Sequence, residues 1–185
     1  MNMTDVDAKY EAELKQADVD HHKPTAGAMT GHILSNLVVN NVKLHQAQWY
    51  VKGLQAFQIS DLFKSLIEQT RQDYDELGLV LLDENEIAPS TVAEYTKYSM
   101  LEENGRNKYL TAEELVDIAA HDYNTQNLFV DRAIKLAEKE SRPAMAAFLT
   151  ALRGHNNQAI RQLQALLGKT AWEGLVEEDD DDDED

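Results

Sequence analysis

The sequence predicts an all-α protein built as a four-helix bundle, with a short helix in the long connection between the second and third long helices. Three prolines and eight glycines in 185 residues leave few positions at which a helix has to stop. Four long segments carry apolar residues at three- and four-residue spacing, which is typical of helices with one buried face. No segment shows the strand-like alternation of apolar and polar residues, so the pattern predicts a bundle.

The spacing of apolar residues places the first two long helices. The first runs from about Gly27 to Gly53, since a glycine is typical of a helix end. Its apolar positions are Ile33, Leu34, Leu37, Val38, Val42 and Trp49. The second helix has the same spacing at Ile59, Leu62, Phe63, Leu66, Ile67, Thr70, Tyr74, Leu77 and Leu81. We expect Pro89 to close it.

Capping motifs place the starts of the next two helices. Thr91 is followed by Glu94, and Thr111 by Glu114, so each pair matches the capping box of a helix N-terminus. The first box predicts the short connecting helix. The second predicts the third long helix, with apolar positions Leu115, Ile118, Ala119, Leu128, Ile134 and Ala137.

The fourth long helix is predicted to follow Ser141, which would be its N-cap. Pro143 would lie in its first turn and Gly168 just beyond its end. The expected buried stripe comprises Ala144, Phe148, Leu152, Ala159, Leu163 and Leu166. His155 lies beside this stripe, and we interpret it as a hydrogen-bonded packing residue rather than a metal ligand.

Polarity and charge divide the chain into three parts. Residues 1–24 form a polar N-terminal arm that is at most a helix, and residues 25–168 form the bundle. Residues 169–185 form an acidic tail that we expect to be disordered. The net charge is −17, and the acidic run 177–185 contributes nine negative charges, which leaves −8 for the rest. We interpret this run as a solubility tail. A loose cation collector, or a screen that repels polyanions, is the alternative.

Composition also limits location and partners. Cysteine is absent, which excludes disulfides and thiolate ligands and fits a reducing cytoplasm. The start of the chain is polar and acidic, unlike a secretory signal, and apolar runs such as 80–82 are too short to span a bilayer, so we expect a soluble protein with no membrane partner. The negative charge, which includes a net acidic arm, disfavours DNA binding through phosphate contacts but leaves it as a minority hypothesis.

The stretch from Ala47 to Gly53, which reads Ala-Gln-Trp-Tyr-Val-Lys-Gly, is similar to an alanine-histidine-tryptophan-asparagine stretch with a terminal glycine in the Dps-like miniferritins. The order of long and short helices over residues 25–168 also resembles the Dps subunit. The resemblance implies a ferritin-like bundle that assembles into a hollow homo-oligomer of twelve copies. It also implies iron as the bound metal, and in some members a coat on DNA.

In this family the ferroxidase centre lies between two subunits. The resemblance places Gln48 and Ser60 at its two histidine positions, Lys64 and Leu79 at two acidic positions, and Asp75 at the aspartate. Four of the five expected ligands are therefore replaced, and the new groups hold iron poorly. A structural ion pair between Lys64 and the Asp75 of another copy is the alternative role for these residues.

A displaced metal site is a further hypothesis. Its candidate ligands are Asp75, Gln48, His45, Asp61 and Glu76, with Asp73 and Asp83 within a turn or two. Asp117 and His121, four residues apart, form another candidate, although an ordinary surface pair is the favoured interpretation. No Glu-x-x-His spacing occurs, which disfavours a di-iron centre inside the bundle.

Taken with the resemblance, the sequence predicts a Dps-like shell that binds or stores iron and limits oxidative damage, with ferroxidase activity left open. The first alternative is a non-enzymatic shell or a DNA-binding protein of the Dps type. The second is a monomeric or dimeric helical interaction module. The turn at residues 138–143, where shells of the family admit iron, carries Arg142 at a position that is often aspartate, so the resemblance to a pore is partial.

Overall fold

The computed structural model describes residues 3–22 and 24–175, and over these residues the chain is helical with connecting turns. The elements are α1 (Met3–His22), α2 (Ala26–Tyr50), α3 (Ala56–Asp83), α4 (Val92–Tyr98), a 3₁₀ helix (Gly105–Tyr109), α5 (Ala112–Lys139) and α6 (Pro143–Leu166). Helices α2, α3, α5 and α6 form the bundle, and α4 lies in the connection between α3 and α5. The predicted fold class is therefore confirmed. The acidic run 177–185 lies outside the described residues.

Both predicted capping boxes are present. The Thr111 hydroxyl accepts a hydrogen bond from the Glu114 amide at 3.2 Å, while the Glu114 carboxylate accepts one from the Thr111 amide at 2.8 Å. The Thr91 and Glu94 side chains make the same reciprocal pair at the start of α4. Each box satisfies two amides that the first helical turn leaves without partners, which is why a local sequence pattern placed these helix starts correctly.

Helices α3, α5 and α6 end in one motif, in which a residue with positive φ follows the helix. These residues are Asn85 (φ 60°), Ser141 (φ 59°) and Gly168 (φ 71°). In each motif the next residue donates its amide to a carbonyl inside the helix, as Arg142 does to Ala137 at 2.8 Å. Gly168 lies just beyond the end of α6, as expected, but the predictions for Ser141 and Pro89 are wrong. Ser141 ends α5 instead of capping α6, and α3 stops at Asp83, well before Pro89, because Asn85 has already reversed the chain.

The core consists of two apolar clusters stacked along the bundle. The first lies near the α2–α3 connection and contains Phe63, Leu115 and Leu163. The second lies towards the other end and contains Ile33, Leu81 and Leu149. Along every long helix, the residues that separate the two clusters include buried polar side chains: Asn40 on α2, Thr70 and Asp73 on α3, Gln126 and Asn127 on α5, and Asn156 on α6. We call this set the polar layer.

Some apolar positions face outward. Val42 and Trp49 on α2 are exposed, with 71% of Trp49 accessible, and Ala144 is exposed on α6. The buried stripe of α6 instead runs through Met145, Leu149 and Ile160. The prediction of which α6 residues face the core was therefore partly wrong. Among the described residues, no helix has the length and apolar character that crossing a membrane requires.

Residues 169–175, which follow α6, pack against the bundle. Leu175 is buried in the first apolar cluster. The Gln164 side-chain amide donates to the Glu173 carbonyl oxygen at 2.8 Å, and the Lys169 ammonium lies 3.1 Å from the Asp117 carboxylate. The part of the chain that precedes the acidic run is therefore anchored to α5 and α6.

Candidate functional site

The exposed face of α3 carries most of the acidic candidates. Asp61, Lys64, Asp75 and Glu76 are all exposed, and Leu79 beside them is 62% accessible. Lys64 and Asp75 are on the same helix, at a separation in sequence that corresponds to about 16 Å along the axis. They do not reach each other within one subunit, so an ion pair between them requires a second copy.

Gln48 and His45 lie in the last turns of α2, and both are half-buried. The Nδ1 atom of His45 lies 2.8 Å from the Asn41 carbonyl oxygen, and its ring packs edge-on against Trp49 with centroids 5.5 Å apart. A carbonyl oxygen only accepts hydrogen bonds, so Nδ1 carries a proton and donates it. A metal ion would therefore find only Nε2 of His45 available.

The five candidate ligands do not form one cluster. Asp61 and Asp75 are separated by about 21 Å along α3. The Glu76 carboxylate instead accepts a hydrogen bond from the Gln72 side chain on the same helix, at 2.9 Å. Over residues 3–22 and 24–175, no three side chains from His, Cys, Asp or Glu lie close enough together to hold a metal ion.

A buried carboxylate lies on the opposite face of α3. Asp73 Oδ1 is 2.9 Å from Nδ1 of His155 on α6 and accepts a hydrogen bond from the Gln69 side-chain amide at 3.0 Å. The Gln69 amide nitrogen is in turn 3.3 Å from His155 Nδ1. The Asp73 side chain is 5% exposed, and that of His155 is 41% exposed. The three groups therefore form a triangle that connects the polar layer to the surface.

Burial raises the pKa of Asp73, and its hydrogen bond from Gln69 and the charge of His155 lower it only in part. Next to it, the Thr70 and Tyr123 hydroxyls lie 3.2 Å apart, and burial raises the pKa of Tyr123 to about 12. Asn40 adjoins the Tyr123 hydroxyl, but neither polar atom of its side chain makes a well-aligned hydrogen bond. The layer thus holds a carboxylate whose charge is incompletely compensated.

The Asp117 and His121 pair is part of a surface network. His121 Nδ1 donates to the Asp117 carbonyl oxygen at 2.9 Å and lies 3.5 Å from its carboxylate, which Lys169 also contacts. These side chains are 35–49% exposed. The arrangement ties the segment after α6 to α5.

At the end of the bundle near the α5–α6 turn, Arg142 contacts three carboxylates. Its guanidinium lies 2.6 Å from Glu86, 3.2 Å from Glu140 and 3.9 Å from Glu84. Glu140 also accepts a hydrogen bond from the Ala26 amide at the start of α2, at 2.8 Å. Arg142 therefore links the ends of α3 and α5 to the start of α6, and its positive charge is paired with carboxylates.

The sequence interpretation did not combine Asp73 with His155. The expected hydrogen-bonding contact of His155 is present, and its partner is Asp73, which the sequence indicated only as a neighbour of Asp75. One signal was present, since Leu66, Thr70, Asp73, Leu77 and Leu81 follow one another at the spacing of a buried helix face. A carboxylate within such a stripe needs a partner from another helix.

A family profile for the ferritin-like domain matches residues 31–171. Among curated proteins, the chain is 26% identical over 142 residues to a DNA protection during starvation protein of Listeria innocua, which covers 77% of this chain and 91% of that protein. Among solved structures, it resembles DpsB of Lactococcus lactis MG1363 with a TM-score of 0.86 and 42% identity, covering 91% of this chain and 98% of that one. DpsA of the same organism gives a TM-score of 0.85 and 38% identity, covering 91% and 99%.

These matches cover most of the chain and agree with its helical bundle. The protein therefore belongs to the ferritin-like family, as a Dps-like miniferritin. The resemblance found in the sequence is confirmed.

Proposed function

We propose that this protein is the subunit of a closed homo-oligomeric shell that binds or stores iron and so limits oxidative damage. The observation that carries the proposal is the match to the Lactococcus DpsB structure across 91% of the chain. The name of the Listeria relative, a DNA protection during starvation protein, supports the protective role. We propose twelve copies and a cytoplasmic location, and the absence of cysteine supports that location.

The surface of the subunit supports assembly. Trp49, Leu54, Phe57, Leu79 and Leu82 are large apolar side chains with most of their surface exposed in the single chain. Apolar surface of this extent is usually covered by a partner. Lys64 and Asp75, which do not meet within one subunit, are available for contacts between copies that bring two α3 helices together.

Fast iron oxidation at the usual position between subunits receives little support from the side chains there. The family resemblance places Gln48, Ser60, Lys64 and Leu79 at positions of expected ligands, with Asp75 as the one carboxylate retained. An ammonium group repels Fe(II), and an alkyl group offers it no electron pair. In this proposal Lys64 pairs with Asp75 of a neighbouring copy, and iron binds elsewhere on the shell. His45, Asp61 and Glu76 are the remaining local candidates.

Fe(II) oxidation by purified, assembled particles tests the proposal. Peroxide and oxygen are supplied in turn, and the iron retained by the particle is measured after gel filtration, against a protein-free control. Retained iron supports a storage shell, whatever the oxidation rate. Particles that retain no more iron than the control would exclude storage and favour the alternative, a non-enzymatic shell or a DNA-binding protein of the Dps type without ferroxidase activity.

DNA protection through a DNA coat is the second candidate function, and the names of the relatives favour it. The charge of the chain opposes it, because each phosphate contact gains affinity through a positive side chain and the net charge here is −17. Helix α1 carries Lys9 and Lys15 among a larger number of acidic residues. Gel-shift assays with and without Mg²⁺ distinguish direct binding from bridging by divalent ions.

A further inference from the structure

We propose that Asp73, Gln69 and His155 form a binding site for one divalent transition-metal ion inside each subunit. The site lies within the four-helix bundle, between α3 and α6, and is separate from the exposed face of α3 that carries Asp75. No second copy has to contribute a side chain. The inference therefore stands independently of the proposed shell function.

The distances within the triangle carry the proposal. Its three corners are Asp73 Oδ1, His155 Nδ1 and the end of the Gln69 amide, and its edges are 2.9, 3.0 and 3.3 Å. Adjacent ligands at right angles around an ion with bonds of about 2.1 Å lie about 3.0 Å apart, and tetrahedral ligands slightly farther. The three atoms are thus already spaced as one face of a coordination polyhedron.

The Gln69 amide supplies an oxygen ligand after a half-turn. Its oxygen and nitrogen have nearly the same shape, and only the hydrogen-bond network assigns them. In the metal-free arrangement the nitrogen donates to Asp73. With an ion bound on one side of the triangle, rotation of the amide presents Oε1 at the same corner, so the backbone does not have to move.

His155 supplies the nitrogen ligand. In the metal-free arrangement Nδ1 donates to the Asp73 carboxylate. When the ion takes the place of that proton, the ring proton resides on Nε2, and the 41% exposure of the side chain lets water accept a hydrogen bond there. The same exposure gives the ion a route from solvent. A mixed set of carboxylate, imidazole and amide oxygen suits Fe(II), Mn(II), Co(II) or Zn(II), whereas Mg(II) prefers oxygen alone.

Burial of charge supports the same conclusion. The Asp73 side chain is only 5% exposed, so its negative charge lies inside the bundle and needs compensation there. A bound cation supplies that compensation. Nearby, Asn40 is fully buried and both polar atoms of its side chain lack hydrogen-bond partners, although it adjoins the Tyr123 hydroxyl. The polar layer therefore has hydrogen-bonding capacity that the side chains alone do not satisfy.

Titration of the assembled, chelator-stripped protein with Co(II) tests the site. We expect one Co(II) per subunit, detected by calorimetry and by visible absorption bands that report nitrogen and oxygen ligands. The variants Asp73→Asn and His155→Gln should each weaken binding by about tenfold or more. Asp7→Asn makes the same chemical change on the exposed surface of α1 and should leave Co(II) affinity unchanged. Mg(II) should not compete.

A gain of affinity separates this proposal from a purely structural hydrogen-bond cluster. Gln69→Glu places a second carboxylate at the third corner, so Co(II) should bind about tenfold tighter, and metal should raise the melting temperature of this variant more than that of the wild type. If the cluster were only structural, the two carboxylates would repel each other and Co(II) would bring no such gain.

Crystals of the wild-type protein soaked in Co(II) keep the test independent of how the variants fold. An anomalous peak within bonding distance of Asp73, Gln69 and His155 is the expected result. A peak only on the exposed face of α3, or wild-type affinity equal to that of Asp73→Asn, would overturn the proposal. Iron retention by the shell is a separate measurement, so either proposal can fail alone.

Discussion

Lys43 on α2 and Asp122 on α5 form an ion pair that is almost removed from solvent. The Lys43 ammonium lies 2.7 Å from the Asp122 carboxylate, and the side chains are 10% and 13% exposed. The same ammonium donates to the Glu102 carbonyl oxygen at 2.6 Å. Lys43 therefore links the segment after α4 to helices α2 and α5 of the bundle.

Replacement of this lysine should destabilise the subunit strongly. Lys43→Met leaves the Asp122 carboxylate buried without a countercharge, which should cost about 3 kcal/mol in the free energy of unfolding. Urea unfolding at a fixed subunit concentration measures the loss. The double variant Lys43→Met/Asp122→Leu removes both charges and should recover part of it. A double variant no more stable than the single one would contradict this explanation.

The loss in Lys43→Met should depend on pH. Burial raises the pKa of Asp122 above its ordinary value, and Lys43 opposes that rise in the wild type. A carboxyl with a raised pKa in the folded state favours folding when protonated, and that contribution is lost as the pH rises through the folded pKa. The difference in unfolding free energy between variant and wild type should therefore shrink from pH 7 towards about pH 4. A constant difference would exclude Asp122 as the cause.

Ser141 has a strained backbone conformation at the end of α5, where its φ is 59°. Glycine adopts this conformation without strain, so Ser141→Gly should stabilise the protein by about 0.5–1 kcal/mol. Ser141→Val introduces a β-branched side chain at the same position and should be destabilising. Thermal unfolding of the two variants in parallel with wild type measures both effects, and equal melting temperatures would show that strain at this residue is negligible.

Arg142 should be stabilising chiefly through charge. Arg142→Met leaves Glu84, Glu86 and Glu140 close together without their shared cation, so we expect a loss of about 1–2 kcal/mol at low salt that decreases in 1 M NaCl. Arg71→Met is the matched control, because Arg71 forms one well-exposed pair with Glu68. A loss at Arg142 that is independent of salt would point to lost packing instead.

Charge reversal tests the contact between copies. Lys64→Glu should dissociate or weaken the assembly, since it would place a carboxylate opposite Asp75 of the neighbouring copy. The double variant Lys64→Glu/Asp75→Lys should restore it. Gel filtration with light scattering reads the mass of the particle directly. Assembly unchanged in both single variants, Lys64→Glu and Asp75→Lys, would rule out the ion pair.

Local patterns were sufficient for part of the fold. Both capping boxes lie within four consecutive residues, so their hydrogen bonds follow from the sequence alone. The ends at Asn85 and Ser141 were missed because neither residue is glycine, and their positive φ values arise only when the following residue bonds back to the helix. Gly168, which signals the same motif by its residue type, was placed correctly.

The candidate site was less accessible to sequence reasoning. Asp73 and His155 are 82 positions apart, and their contact depends on the rotation and axial alignment of two helices. Helical periodicity gives the rotation to within about one position. It gives no information on how far one helix is displaced along another, and that displacement decides which residues meet.

The polar layer limits how far one long helix can be displaced along another. Leucine and alanine faces tolerate sliding by one helical turn, because one apolar side chain replaces another. Such a slip would move Asp73 away from His155 and into contact with the neighbouring apolar cluster, where an unpaired charge is costly. The layer therefore fixes the alignment of the four long helices, and with it the level at which Lys64 and Asp75 are presented to neighbouring copies.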